Sequence, residues 1–492
     1  MRDRAVHRGR VGLAAATGAA LLALTTVLTP PSAHGDDDGI LPFLVMGGTG
    51  MPLPDDGWVD TVQSLFFPAT ALFDGQPTFP TADPTALYTP EEFYPLSPDG
   101  LTLNDSVSQG LGNLSAALQP YLDAGTPVGV FGYSQSAIIA SLEMDQLAAQ
   151  GVPSSDVNFV LIGDLMNPNG GLFERFSGLD LPSLGIDFSG ATPADDYATT
   201  IYTMEYDTWA DFPRYPLNFL SVLNAFMSDT HFDYDTLTAE QVAQAIPLDT
   251  TGGLTDYYII PVDNLPLLDP LREVPIIGNP LADLFQPNLT ALVNLGYGDP
   301  EYGWSTAPAN LPTEFGLLPS LADFEKLPAL LLAGTQTGIE DFIGDFTGTG
   351  PNPVSLSLDS LFSGLADSSS MTSGTTLFDP DAMLAALNTL LSDPTALSAL
   401  PADFGDALSD IGAALQSGFT ATEDILQAVL ISVPEYNLSL IMDNLDNPIE
   451  ALLLPVAADF AIDQLLGGFQ STVIDNTVQS ILAALTDLVP AG

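Results

Sequence analysis

Four side chains in this chain have the type and order that acyl transfer requires: Ser134, Asp207, Asp211 and His231. Ser134 lies in Val128-Gly129-Val130-Phe131-Gly132-Tyr133-Ser134-Gln135-Ser136. The apolar run before it reads as a buried parallel strand, and Ala137, Ala140, Met144 and Leu147 behind it recur at helical spacing. A serine at the apex of a strand-to-helix turn needs small neighbours two residues away on each side, because strand and helix backbones converge there. Gly132 and Ser136 fill those places, so the stretch has the shape of a nucleophile elbow with a serine where a second glycine is usual. The plain alternative is a serine in an ordinary βα turn.

Serine is a weak nucleophile until a base takes its proton, and the choice of base is narrow. There are three histidines, two of which, His7 and His34, lie in the N-terminal leader, which leaves His231. Asp207 directly follows a strand pattern, Ala198 to Tyr206, where a carboxylate lies on the ligand-binding edge of a parallel sheet. Asp211, four residues on, is the alternative acid, reaching the same place if the turn winds back. The order serine, acid, histidine suits an α/β hydrolase. Earlier in the chain, Ile40 to Met46 reads as a strand entering Gly47-Gly48-Thr49-Gly50. No lysine follows, as a phosphate loop would need. Backbone N–H groups near Gly48 or Thr49, together with that of Gln135, suit an oxyanion hole.

The elements that must position these residues are read from pattern. Val107, Leu111, Leu114, Leu118 and Leu122 predict a helix ahead of the elbow strand. Val157 to Asp164 and Tyr257 to Pro261 predict further strands, and Leu217 to Phe226 a helix before His231. Residues 52–100 read as loop-rich. Leu265 to Phe285 mixes Leu, Pro and small residues, as a greasy wall, a lid or ordinary packing would. The expected fold is α/β, an α/β-hydrolase fold with a mostly parallel central sheet, followed by a mainly α-helical C-terminal region. The expected division is a signal peptide or N-terminal anchor over 1–35, the hydrolase domain over 36–310, a linker-rich segment over 311–379 and a helical accessory region over 380–492. Gly348 to Pro353 and Asp367 to Thr376 read as linkers. Met383 to Leu391, Phe404 to Leu415, Ala421 to Ile431 and Val473 to Leu488 read as helices.

Arg2, Arg4, Arg8 and Arg10, then an apolar run from Val11 to Leu28, then Pro30 to Gly35 give the leader its export pattern, so the expected location is secreted or cell envelope. Four of the eight basic residues and one of the 62 acidic ones, Asp3, lie in 1–35; without them the charge is about −57. Such a surface repels nucleic acid and anionic headgroups. With 46% hydrophobic residues, the chain is too apolar for a disordered acidic protein. With no cysteine, thiolate metal sites and a cysteine nucleophile are excluded. No cofactor or metal is expected.

Four stretches in this order, Leu44 to Pro52, Val130 to Ser136, Tyr206 to Pro213 and Val293 to Pro300, resemble the PE-PPE domain of mycobacterial and related actinobacterial proteins. The resemblance covers roughly residues 40–305. It implies a serine hydrolase related to cutinases and lipases, acting as esterase, lipase or acyltransferase on envelope lipids, acylated trehalose among them, with peripheral association with the envelope. A signal segment stands where a PE or PPE helical module would precede the domain. The competing class is a non-catalytic lipid-binding or envelope scaffold protein on a hydrolase fold.

Overall fold

The computed structural model describes residues 40–68, 81–353 and 404–486. The leader 1–35, the linker Asp367 to Thr376 and the helix expected over Met383 to Leu391 lie outside the described residues. Seven strands form one sheet: β1 (Ile40–Val45), β2 (Thr81–Ala86), β3 (Val128–Tyr133), β4 (Val157–Ile162), β5 (Thr199–Met204), β6 (Ile246–Pro247) and β7 (Thr255–Ile260). Their spatial order is β2-β1-β3-β4-β5-β7-β6, parallel throughout except for the antiparallel β6–β7 edge. β3, β4 and β5 occupy the middle, which is why they are buried on both faces. Helices α1 (Asp56–Leu65), α2 (Leu103–Ala124) and α3 (Gln135–Gln150) are among those that cover the sheet. This is an α/β-hydrolase fold with a helical C-terminal region.

The described residues of 52–100 hold more regular structure than their composition suggests. They contain α1, whose Trp58, Val59, Val62 and Leu65 are buried, and strand β2. β2 reads Thr-Ala-Asp-Pro-Thr-Ala, and a strand holding Pro84 is hidden from pattern reading; it is tolerated because β2 is an edge strand. Leu265 to Phe285 contributes Leu265, Leu268 and Ala282 to a small core with Tyr206, Val293 and Tyr297, so part of this stretch packs behind the Asp207 turn.

Within 311–379, Leu321–Thr347 forms a 27-residue helix, opened by a capping box between Ser320 and Asp323 and ended by left-handed Gly348. It lies against the helix Gly278–Asn294, and a Cβ at its Gly338 would stand 2.2 Å from the Leu284 carbonyl oxygen. Further on, Phe404–Gln427 runs through a π turn, Ala428–Ser432, into Val433–Asp443, and a turn leads into the 39-residue helix Pro448–Thr486. The short helices read from the sequence at 404–415, at 421–431 and from 473 are thus, as far as Thr486, pieces of two long arms packed on each other.

Candidate active site

The elbow forms where β3 turns into α3. Ser134 adopts φ 56° and ψ −117°, a strained conformation for a side chain-bearing residue. Gly132 has to be small: a Cβ there would stand 2.8 Å from the Ser136 carbonyl oxygen and 3.0 Å from the Ala137 backbone. Ser136 is itself buried and closes the turn, its hydroxyl accepting from the Tyr133 N–H at 2.8 Å and lying 3.1 Å from the Tyr133 carbonyl. A glycine could not make those bonds.

His231 sits in a 3-10 turn, Thr230–Phe232, and is 3% exposed. Its Nε2 is 2.9 Å from Ser134 Oγ, across 97 residues of chain. Its Nδ1 is 2.8 Å from Asp207 Oδ1 and 3.0 Å from Oδ2. The Tyr133 hydroxyl donates to the His231 carbonyl at 2.7 Å, and the two rings stack. Asp207 is fully buried and accepts further bonds from the Tyr234 hydroxyl (2.9 Å) and from the N–H groups of Trp209 (2.9 Å) and Ala210 (3.1 Å). Burial, reinforced by Asp207, holds the Tyr234 phenol well above its ordinary range, so it stays a donor.

Asp211 turns the other way. Its Oδ2 accepts the N–H of Tyr206 at 3.1 Å, closing the loop behind Asp207, and Tyr206 takes φ 63° to allow it. Burial holds the Asp211 carboxyl well above the usual carboxylate range, against the pull of the Tyr206 N–H. Below it, the Tyr206 hydroxyl donates to Asn294 Oδ1 at 2.7 Å, and buried Arg175 donates to the carbonyls of Phe212 and Thr313. Burial lowers the Arg175 guanidinium to about 10. The stretches 206–213 and 293–300 thus belong to one buried scaffold under the Asp207 turn.

The glycine loop lies beside the serine: a Cβ on Gly48 would stand 3.1 Å from Ser134 Cβ. Met51 N–H bonds to the Gly48 carbonyl, and Gly50 N–H to that of Glu91. Gln135 ties the parts together through its side chain. Its Nε2 donates to Thr49 Oγ1 at 2.9 Å and to the Glu92 carbonyl at 3.1 Å, and its Oε1 accepts from Ser106 Oγ at 2.6 Å. The sequence reading assigned Gln135 only a backbone role, and it missed Tyr133 and Tyr234. Their signal is adjacency: one precedes Ser134 and the other follows His231 by three residues. It also missed Phe93 and Phe469. Trp209 lies 6.1 Å from the His231 ring, Phe93 packs 6.1 Å from Trp209, and Phe469 of the last helix packs 5.7 Å from Phe93. A chain of ring contacts through Phe93 and Trp209 therefore links the last helix to His231.

A strained serine turn at the head of a parallel sheet, with the histidine and aspartate beside it, defines a protein of the α/β-hydrolase class. The PE-PPE domain model matches residues 80–298. The uncharacterized PPE family protein PPE28 of Mycobacterium tuberculosis is 41% identical over 462 residues, 91% of this chain and 67% of its own. Esterase PE16 of the same organism is 40% identical over 326 residues, 63% of this chain and 58% of its own. The diacyltrehalose acyltransferase Chp2, also from M. tuberculosis, is 26% identical over 317 residues, 59% of this chain and 84% of its own. The chain spans between 57% and 67% of the length of the first relatives it matches. This chain belongs to the PE-PPE domain family.

Proposed function

We propose that the chain is an exported serine esterase or acyltransferase acting on acyl esters of lipids. The observation that carries the reading is the continuous line Asp207–His231–Ser134, with bonds of 2.8 and 2.9 Å. Ser134 Oγ attacks the ester carbonyl while His231 Nε2 takes its proton. Asp207 holds the Nδ1–H tautomer and stabilises the imidazolium. The tetrahedral oxyanion is received by the N–H of Gln135, first residue of α3 and without an intrahelical acceptor, and by the loop N–H groups of Gly48 or Thr49. Histidine then returns its proton to the leaving alcohol, leaving an acyl-Ser134. Water as second acceptor gives hydrolysis; a sugar hydroxyl gives transfer. Esterase PE16 and the acyltransferase Chp2 support the two outcomes, and Chp2's name supports acylated trehalose among the substrates. The leader pattern supports a secreted or envelope location.

The test is labelling by a fluorophosphonate, followed by mass spectrometry of the modified peptide. The adduct is expected on Ser134 and absent in Ser134→Ala. Absence of labelling, or labelling that persists in that variant, rejects the serine mechanism and favours a binding role. Product analysis with an acyl donor, with and without trehalose, separates hydrolysis from transfer.

A further inference from the structure

The two C-terminal arms carry an apolar surface that nothing else in the described residues covers. Leu438, Met442 and Leu445 on one arm, and Ile449, Leu452 and Val456 on the other, follow each other at spacings of three and four and are 44–71% exposed. Such spacing puts Leu438 and Met442 on one face of the first helix and Ile449, Leu452 and Val456 on one face of the second, with Leu445 exposed in the turn Asn444 to Asn447 between them. Leu426 and Leu430 continue the apolar surface back along the first arm. Large exposed apolar areas mark interaction sites. By length and composition, Ser409–Asp443 would suit a membrane crossing, yet only 28% of its most apolar window is buried.

Charge selects the occupant. No lysine or arginine follows Lys326, and Asp443, Asp446, Glu450 and Asp459 border the apolar surface. A second copy seated face to face would bring these carboxylates together with no cation between them. An anionic bilayer would be repelled for the same reason. A lipid surface of no net charge accepts the side chains without that cost. The same arms are tied to the segment 93–96: Phe469 packs on Phe93, Asn476 donates to the Leu96 carbonyl at 3.0 Å, and Tyr94 donates to Asp424 at 2.6 Å.

We infer that the 404–486 hairpin docks the protein on an uncharged lipid surface through its tip. The docking needs no catalysis, so its failure and that of the serine mechanism are separately visible. The absence of cysteine permits a clean probe. Leu445→Cys in the full chain, labelled with a polarity-sensitive dye, is titrated with phosphatidylcholine vesicles, with and without lipid-attached quencher. The dye is expected to shift blue and be quenched, independently of salt. Adding anionic phosphatidylglycerol is expected to weaken the response. The same dye at Leu321→Cys, 75% exposed and outside the hairpin, stays unchanged. Ile449→Ser with Leu452→Ser weakens partitioning at Leu445→Cys by at least about tenfold, since each loses apolar burial in the lipid. No response at Leu445→Cys overturns the inference, as does an equal response at Leu321→Cys. A shift that follows protein concentration without vesicles overturns it in favour of self-association.

Discussion

Replacing Asp207 by Asn tests the proposed mechanism at its most demanding point. Both Asp207 oxygens act only as acceptors: Oδ1 faces His231 Nδ1 and the N–H groups of Trp209 and Ala210, and Oδ2 faces His231 Nδ1 and the Tyr234 hydroxyl. An asparagine keeps the shape but has one acceptor oxygen and one NH2 group. If the oxygen stays on the two backbone N–H groups, the NH2 group meets Tyr234 and the imidazole. Histidine then favours the tautomer with Nδ1 bare and Nε2–H aimed at Ser134, which cannot take the serine proton. The imidazolium also loses its counter-charge, worth roughly 4 kcal/mol at an effective dielectric of about 20. Together these give an expected loss of about 10³ to 10⁴ in kcat/KM. Asp211→Asn is the control. Burial raises its carboxyl well above the ordinary range, and an amide oxygen can still accept the Tyr206 N–H. Activity within about tenfold of the parent is expected, with Tm unchanged or raised, because a buried ionisable group has gone. The assay is hydrolysis of a soluble short-chain p-nitrophenyl ester, with circular dichroism to verify folding. If folded Asp211→Asn loses more than a hundredfold while Asp207→Asn keeps most of its rate, the assignment of the acid is wrong.

Other outcomes follow from the same geometry. Gln135→Ala leaves the backbone N–H in place but frees Thr49, Glu92 and Ser106; an unmade buried bond costs about 1–3 kcal/mol, so kcat should drop at least tenfold with KM little changed. Gly48→Ala drives a Cβ to 2.8 Å from the Tyr133 ring and 3.1 Å from Ser134 Cβ; we expect more than a hundredfold loss of ester hydrolysis in a protein that still folds by circular dichroism. Burial raises the Glu91 carboxyl to about 8, and those of Glu143 and Glu205 to about 7. Folded values above the unfolded ones mean stabilisation that is complete below the ordinary glutamate value and lost as pH rises through 7 to 8. Tm should therefore fall between pH 5 and 8.5, and Glu91→Gln should flatten the fall, by an upper bound of roughly 5 kcal/mol; a Tm that rises over this range contradicts the reading.

The chain declares by itself whatever rests on neighbours in sequence. The elbow was legible because an apolar strand, a turn flanked by Gly132 and Ser136 and a helical repeat are local patterns. So was the choice of His231, since the leader holds the other two histidines. β2 was not legible, because its Pro84 is permitted only by an edge position that the rest of the sheet creates. Asp207 was favoured over Asp211 only by following the strand directly. The tertiary structure separates them: the turn at Tyr206 points Asp207 at a histidine 24 residues away and folds Asp211 back onto the Tyr206 N–H. Ser136 looked like a substitute for glycine, and its hydroxyl turns out to pin the turn. Helical periodicity in the C-terminal region foretold helices but not their partner, for an apolar face does not say what it meets. Only the folded chain puts Phe469 on Phe93, two ring contacts from His231, and leaves Leu445 and Leu452 exposed.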